Sequence, residues 1–208
     1  MDARVQTAGP VDSGASGQWA AALIGHRQTV LPKRLVEPGP DESQLDLIVR
    51  AAAAAPDHGE LLPWRFVVIP APARNRLAQV FAASLLERDS DATADQLAQA
   101  REKAFRAPLL MLAVVQTVAT SGEIPPWERL LSAGCAIQNM LLVATALGYA
   151  SALTSGKALR SPALEHLFSL QAGEQAVCFL SLGTATKRKP ARLRPEPGRY
   201  ISFLAATP

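Results

Sequence analysis

The stretch PPWERLLSAGCAIQNMLLVATALG, residues 125–148, decides the fold class of this chain. Proline is favoured in the first turn of a helix, where its missing N–H would have no partner, and Gly148 is a typical helix stop. The stretch therefore predicts one long helix from Pro126 to Gly148. Polar and charged residues interrupt its apolar surface, which favours a buried helix of a soluble protein over a membrane span: Glu128, Arg129, Ser132, Gln138, Asn139 and Thr145.

Apolar runs on either side of this helix predict the strands of a small sheet, at residues 65–69, 109–118, 149–153 and 176–182. Shorter helices are predicted at residues 18–25, 41–55, 73–88, 93–105 and 161–170. Two of them begin with the residue pair of a capping box, Asp41 with Gln44 and Thr93 with Gln96. Because helices outnumber strands and do not alternate regularly with them, we predict an α+β fold in which helices flank a small sheet.

The composition fits one domain that does not bind nucleic acid. The 208 residues suit a single domain, and 49% of them are hydrophobic, enough for a full core. Residues 1–17 are rich in Gly, Ser, Ala and Pro, so we predict a flexible extension there and one domain over residues 18–208. The extension lacks the basic start and apolar run of a signal peptide, and we expect a cytoplasmic protein with no membrane partner. The net charge of +3 comes without a long Lys/Arg stripe interleaved with aromatics, so nucleic acid is not an expected partner.

The residue types that usually bind metals form no recognisable cluster. His26, His58 and His166 lack ligand spacing, and the sequence contains no HExxH, P-loop, GxGxxG or GxSxG pattern. Cys135 and Cys178 lie in apolar segments without CxxC spacing, which favours buried free thiols over a disulfide or a metal site. We therefore expect no metal.

Polar residues cluster instead in four predicted loops: HRQ at 26–28, APDH at 55–58 before PWRF at 63–66, TSG at 154–156, and KRK at 187–189. Local clusters of basic residues could attract a phosphate-bearing ligand, since charge-assisted hydrogen bonds are stronger than neutral ones. Trp64 and Trp127 adjoin these loops, and we expect both to pack beneath them.

The order of these sequences resembles the FMN-dependent nitroreductase family. The resemblance rests on HRQ at 26–28, the basic triplet that follows a predicted helix, on the Ala-rich helix that ends in APDH, and on PWRF before a strand. The sequences PPWERLLSAGCAIQNMLL, LTSGKAL and FLSLGT then follow in the family's order. It extends over about residues 19–186 and is closest to the small single-domain branch, whose members carry PDH. It implies a nitroreductase-like layered fold with a mainly antiparallel sheet, and an intertwined homodimer that holds FMN between its two subunits.

The resemblance also implies which residues contact FMN: His26, Arg27, Gln28, Asp57, His58, Leu153, Thr154, Ser155, Lys187 and Arg188. Arg27 would hold the phosphate or the ribityl chain, and the basic pair at 187–188 would reach the phosphate. The pair at 57–58 would border the flavin, and residues 153–155 would lie along the isoalloxazine from the other side. From the residues alone, each group has an ordinary alternative: a solvated basic loop, an Asp that caps a turn, or a simple turn after a strand.

The chain departs from the family pattern in its first loops. His26 and Gln28 stand where relatives usually carry Arg or Ser, and Leu62 replaces a glutamine that often precedes Pro-Trp. A few extra residues around 30–33 predict a different path for the first loop. These departures bear on the affinity for FMN and on the choice of substrate.

The activity that the resemblance implies is a two-electron, ping-pong oxidoreductase. NADH or NADPH would deliver hydride to flavin N5 and leave, and a nitroaromatic, quinone or similar electron-poor acceptor would take its place. FMN carries the redox chemistry in such enzymes, so no side chain is expected to act as a nucleophile. For the dimer contact we expect a face of the long helix rich in small and apolar residues: Ala133, Gly134, Ala136, Ile137, Met140 and Leu141.

Two other functions stay open at this point. The altered triplet suggests a flavin-binding protein without turnover, such as a sensor or a store. The apolar long helix suits a dimer seam, which suggests a helical interaction protein without a cofactor.

Overall fold

The computed structural model describes residues 13–118, 124–187, 190 and 193–205. In chain order the helices are α1 Ser13–His26, α2 Glu42–Arg50, α3 Arg74–Leu86, α4 Ala94–Glu102, α5 Pro126–Ala146 and α6 Pro162–Leu167. The strands are β1 Leu35–Val36, β2 Trp64–Val68, β3 Leu109–Gln116, β4 Ala150–Thr154 and β5 Glu174–Ala185.

Every predicted helix and strand is present, with bounds that shift by a few residues. α1 begins at Ser13, ahead of the predicted start at residue 18. The helix predicted over 41–55 is α-helical only to Arg50 and continues as a 3-10 turn over Ala51–Ala54. Strand β1 was not predicted, because two residues are too few to show an alternating pattern.

Both predicted capping boxes are confirmed. The backbone N–H of Gln44 donates to the Asp41 carboxylate at 2.8 Å, and the Gln44 side chain accepts from the Asp41 N–H at 3.0 Å. Thr93 and Gln96 make the same reciprocal pair at the start of α4. These bonds satisfy N–H groups that a helix start leaves without partners, so the sequence alone located both helix starts.

The five strands form one antiparallel sheet in which β5 is a central strand. β5 pairs with β3 along most of its length, with β4 over residues 179–183, and with β1 near its C-terminal end; β2 pairs with β3. This arrangement confirms the mainly antiparallel sheet. One isolated parallel bridge, between Thr29 and Ser151, attaches the segment after α1 to β4.

Helices cover both faces of the sheet because the strands are apolar on both faces. Alternate side chains of β3 and β5 pack toward α2 and α5, among them Met111, Ala113, Val115, Leu180 and Leu182. The intervening side chains pack toward α3 and α6, among them Leu110, Leu112, Val114 and Phe179. Burial on both faces explains the unbroken apolar run of β3 and confirms the layered α+β fold.

One side of α5 lies in the core. Its buried residues recur every three or four positions and form the inner stripe of the helix: Arg129, Ser132, Ala133, Ala136, Ile137, Met140, Leu141 and Ala144. By length and composition alone α5 could cross a membrane, but the inner stripe packs within the chain's own core, as in a core helix.

The inner stripe shows that the predicted dimer face of α5 is wrong. Of the six residues predicted to face a partner, Gly134 alone is exposed, and the other five are buried. The small side chains at these positions bring α5 close to its own sheet. The sequence could not show whether these small residues pack against the chain's own sheet or against a second subunit, because close packing favours small residues in both cases.

A partly buried ion pair ties β2 to β5 across β3. The Arg65 guanidinium donates to both carboxylate oxygens of Glu174, from Nε at 2.6 Å and from Nη2 at 2.8 Å. These bonds hold the pKa of Glu174 below its ordinary value, with a smaller contribution from the Gln171 N–H, which donates at 2.9 Å. The depressed pKa means that the folded protein binds a proton at Glu174 less readily than the unfolded chain does. The pair therefore stabilises the fold above the unfolded carboxyl pKa and loses this effect as the pH falls through the folded value.

We predict that Glu174→Gln lowers the free energy of unfolding at neutral pH by about 1 kcal/mol, the scale of a partly exposed charge-assisted pair. The deficit should shrink as the pH falls below about 4.3, the ordinary pKa of Glu, because the unfolded wild-type chain then binds a proton at Glu174 more readily than the folded protein does. Urea unfolding at both pH values measures it, with Glu165→Gln on the exposed side of α6 as the control. An equal deficit at both pH values would contradict the ion-pair explanation.

Candidate functional site

The basic triplet lies beside β4. The N–H of Val30 donates to the Ser151 carbonyl at 2.9 Å, and Thr29 forms an isolated parallel β-bridge with Ser151. This pairing fixes the residues after α1 along the strand that leads into the 153–155 turn. Two of the sequences predicted to contact FMN, at 26–28 and 153–155, are therefore brought to one edge of the sheet.

Within the triplet, Arg27 is the residue best placed to bind an anion. Its side chain is half-buried, and no described residue accepts a hydrogen bond from the guanidinium. Gln28 is also half-buried, whereas His26 is exposed. A partly covered guanidinium without a protein acceptor can donate to a phosphate.

Lys187 belongs to the same region, because the end of β5 runs beside the segment after the triplet. The N–H and the hydroxyl of Thr186 both donate to the Arg34 carbonyl, at 3.0 and 3.3 Å. Lys187 follows at once and is exposed. Arg188, predicted with it, lies outside the described residues.

Arg194 also reaches this region, and the sequence analysis missed it. Its guanidinium donates to the carbonyl oxygens of Arg27 at 3.2 Å and Gly25 at 3.5 Å, at the C-terminal end of α1. A cation is favourable there because the last carbonyls of a helix carry partial negative charge. The Pro-rich sequence around Arg194 does not predict this contact with the end of α1, because the contact depends on the path of the C-terminal segment over the folded chain.

The 153–155 turn leaves β4 with its side chains partly open. Leu153 is 43% exposed, Thr154 is half-buried, and Ser155 and Gly156 are exposed. A Cβ added at Gly156 would meet no atom within 4 Å, so the space beside the turn is open. The exposed Leu153 side chain could pack against the face of a planar heterocycle, and the hydroxyl and backbone N–H groups that follow it could donate hydrogen bonds to the ring's edge.

Asp57 and His58 sit in a second loop that is held tightly by its own contacts. Asp57 accepts a hydrogen bond from the Leu62 N–H at 2.6 Å, and His58 Nδ1 lies 2.7 Å from Glu128 Oε2 in the first turn of α5. Glu60 and Leu62 adopt left-handed backbone angles, with φ of 52° and 46°. Such angles disfavour side-chain-bearing residues, and the strain is offset here by the loop's own hydrogen bonds.

These two groups of predicted residues do not meet within one chain. The Asp57 loop leads into β2, at one edge of the sheet, whereas the triplet and the 153–155 turn lie along β4, at the other. Two strands lie between, which corresponds to about 14 Å at the usual spacing of strands. The residues predicted to contact FMN therefore fall into two separate groups in one chain, and we call each group a half-site.

Several apolar elements near the half-sites are not covered by any other described part of the chain. None of residues 14–26 in α1 is buried, and the C-terminal segment exposes Tyr200, Ile201, Phe203 and Leu204. The side of α5 opposite the inner stripe forms an outer stripe at the same three- and four-residue spacing: Trp127, Leu130, Leu131, Gly134 and Cys135. Patches of this extent usually mark an interface.

The outer stripe corrects two predictions. Trp64 is buried in the core as expected, but Trp127 is 59% exposed. Cys135 and Cys178 are both free thiols, as predicted, yet Cys135 is exposed and Cys178 only partly buried. Burial raises the pKa of Cys178 to about 11, so this thiol stays protonated at neutral pH and is a poor nucleophile.

Among the described residues, no group of three His, Cys, Asp or Glu side chains could hold a metal ion.

Comparison with known proteins agrees with this geometry. The model of the Nitroreductase family matches residues 33–184. An Escherichia coli K12 protein described as "Putative NAD(P)H nitroreductase YdjA" is 34% identical over 185 residues, covering 88% of this chain and 98% of the relative. A Haemophilus influenzae relative with the same enzyme description is 33% identical, over 78% of this chain and 87% of its own length.

Solved structures share the fold at low sequence identity. A nitroreductase-like family protein from Bacillus cereus superposes with a TM-score of 0.77 at 18% identity, over 88% of this chain and 95% of that one. A nitroreductase with bound FMN from Desulfitobacterium hafniense superposes with a TM-score of 0.63 at 19% identity, over 89% of this chain and 97% of that one.

Proposed function

The chain belongs to the nitroreductase family, and on that premise we propose that it is an FMN-dependent NAD(P)H oxidoreductase that reduces nitroaromatics, quinones or similar electron-poor acceptors. The E. coli and H. influenzae relatives are described as NAD(P)H nitroreductases, and one structural neighbour holds FMN. The observation that carries the proposal is the pairing of residues 29–30 with Ser151, which places the segment that follows Arg27 along β4, the strand that leads into the open turn at 153–155.

The residues at this edge fit the two ends of FMN. Arg27 and Lys187 would hold the dianionic phosphate, and Arg194, bound to the backbone of the triplet, adds positive charge beside them. Leu153, with the hydroxyl and backbone groups that follow it, would lie along the isoalloxazine. His26 and Gln28 would contribute polar contacts without a second guanidinium, so Arg27 should carry most of the phosphate binding.

When bound, FMN supplies the atom that takes hydride from NAD(P)H and passes it to the acceptor. NAD(P)H leaves before the acceptor enters, which is the ping-pong order. This chain's residues would bind and orient the reactants, and the apolar surface around Leu153 would limit the access of water. No side chain is required to form a covalent intermediate, in keeping with a Cys178 thiol that stays protonated at neutral pH.

The complete site would form in a homodimer. Asp57 and His58 lie too far along the sheet to meet the triplet of the same chain, so they would border the flavin held mainly by the partner subunit. The uncovered α1, the outer stripe of α5 and the exposed C-terminal segment supply the apolar surface that an intertwined dimer needs. The outer stripe, rather than the inner stripe, would therefore serve as the dimer seam.

The remaining expectations complete the proposal. We place the enzyme in the cytoplasm, with NAD(P)H and a small acceptor as its partners and without nucleic acid or membrane as a partner. We propose one FMN-binding domain over residues 18–208, preceded by an extension over residues 1–17 whose last five residues already belong to α1.

We predict that the purified protein retains FMN through gel filtration, and that excess NADH or NADPH bleaches the flavin absorbance without oxygen. A nitroaromatic or a quinone added afterwards should restore the absorbance, because the acceptor takes the stored electron pair. A bound flavin that neither nucleotide bleaches would point to a sensor or a store. Protein that stays colourless after incubation with FMN would contradict the cofactor itself.

We predict that Arg27→Gln weakens FMN binding by about tenfold or more, the usual scale of a charge-assisted hydrogen bond to phosphate. Arg76→Gln, at an exposed position of α3 away from both half-sites, is the matched control. Fluorescence titration of the flavin-free proteins measures both affinities. Equal weakening in the two variants would indicate a general charge effect, and no weakening in Arg27→Gln would remove this residue from the site.

We predict that Leu131→Asp converts the dimer to monomers and that FMN is lost with it. Leu131 is 62% exposed in the middle of the outer stripe, and a charge buried there without a partner opposes association. Leu86→Asp, a partly exposed leucine on α3, should leave the dimer intact. Light scattering with simultaneous absorbance measures both quantities; a wild-type protein that is a flavin-loaded monomer would overturn the shared site.

A further inference from the structure

His58 and Glu128 form a side-chain pair that joins the Asp57 loop to the first turn of α5. His58 Nδ1 lies 2.7 Å from Glu128 Oε2, although the two residues are 70 positions apart in the chain. An ionised carboxylate can only accept hydrogen bonds, so the proton between the two atoms belongs to Nδ1. The other ring nitrogen, Nε2, makes no hydrogen bond to any described residue. The His58 side chain is 70% exposed, whereas that of Glu128 is 26% exposed.

The backbone is held on both sides of this pair. In the loop, the Leu62 N–H donates to the Asp57 carboxylate at 2.6 Å, and Gly59 has a φ of 74°. A Cβ added at Gly59 would lie 2.9 Å from the Ile124 side chain, so the loop comes as close to the residues before α5 as a glycine allows. In α5, the Arg129 guanidinium donates to the Ile124 carbonyl at 3.2 Å. These contacts keep the imidazole and the carboxylate opposite each other.

Glu128 supplies the carboxylate that contacts the imidazole among the charged groups of the two packed elements. In the loop, Asp57 is turned to the Leu62 N–H, and Glu60 is exposed. In α5, Arg129 is buried and is turned to a backbone carbonyl. A carboxylate is also favourable in the first turn of a helix, where the backbone N–H groups carry partial positive charge.

The arrangement is that of an oriented proton donor. A pair with one partner this exposed contributes little to the stability of the fold, so stability alone does not account for it. A carboxylate on one ring nitrogen fixes the ring's orientation and its tautomer, and it leaves the second nitrogen to exchange a proton with a reactant.

We propose that His58 is the proton donor to the electron acceptor and that Glu128 is the residue that positions it. The assignment rests on the proposed function, in which His58 borders the flavin held mainly by the partner subunit. Two-electron reduction of a quinone adds a hydride, which the cofactor supplies, and a proton on a quinone oxygen. His58 in its imidazolium form would give that proton, so that the Nε2–H bond breaks as the O–H bond forms. A proton from water would then restore the imidazolium.

The first test compares two acceptors that differ in their need for a proton. Rapid anaerobic mixing measures how fast the NADH-bleached, flavin-loaded protein is reoxidised by menadione, a quinone, and by ferricyanide, which takes up electrons without a proton. The ratio of the menadione rate to the ferricyanide rate should fall by about 100-fold in His58→Gln, the scale of general acid catalysis. It should fall by about tenfold in Glu128→Ala, the scale of losing a positioning partner. Glu128→Gln keeps an acceptor for the Nδ1–H and should retain more of the ratio than Glu128→Ala.

The second test observes the imidazole directly in the full-length protein as isolated, without turnover. At alkaline pH, where an imidazole is neutral, NMR of isotope-labelled histidine shows which ring nitrogen holds the proton. The chain has three histidines, so His58→Gln assigns the His58 signals and leaves His26 and His166 as internal references. His58 should hold its proton on Nδ1 in the wild type and lose this preference in Glu128→Ala.

Glu42→Ala is the matched control, because it removes a first-turn carboxylate from a different helix, α2. Equal slowing with both acceptors in His58→Gln and Glu128→Ala would overturn the assignment. An unchanged His58 tautomer in Glu128→Ala would overturn the positioning role. Light scattering and flavin content of each variant separate these effects from loss of the dimer or of FMN. A wild-type flavin that NAD(P)H does not bleach would overturn the proposed function itself, and the tautomer measurement would still report on the pair.

Discussion

The packing of the inner stripe of α5 against β3 and β5 is the interaction on which the rest of the structure depends. Ala133, Ala136 and Met140 bring the helix close to the sheet, and this contact forms the larger apolar cluster of the core. With α5 fixed there, its first turn is available to hold the Asp57 loop through Glu128. The end of the helix leads at once into β4, whose edge receives the triplet. Both half-sites therefore owe their positions to one buried contact.

The same packing leaves apolar surface of the described residues exposed. When the inner stripe is buried, the outer stripe points away from the core, and α1 and the C-terminal segment extend without cover. The half-sites lie at opposite edges of the sheet, so a second copy of the chain is the simplest means of joining them. A dimer would cover the apolar surface and complete the flavin site through one association, which couples cofactor binding to assembly.

Local sequence was a good guide where a structural choice depends on neighbouring residues. The capping boxes at Asp41 and Thr93, the proline at the start of α5 and the apolar run of β3 each fix an element through contacts a few residues apart. The resemblance found the two loops that meet at β4, because their sequences are typical of the family. It gave no indication of Arg194, whose contact with Arg27 links positions far apart in the chain.

The sequence by itself determined the element order, the α+β class, the family and the residue types that could hold a phosphorylated flavin. Local hydrogen bonding and apolar periodicity encode the elements, and the order of short motifs encodes the family. Only the tertiary structure decided which stripe of α5 is buried, that Trp127 and Cys135 are exposed, and that the predicted site residues form two half-sites. Both stripes of α5 have helical spacing, and their assignment depends on how the whole helix packs against a sheet built from distant strands.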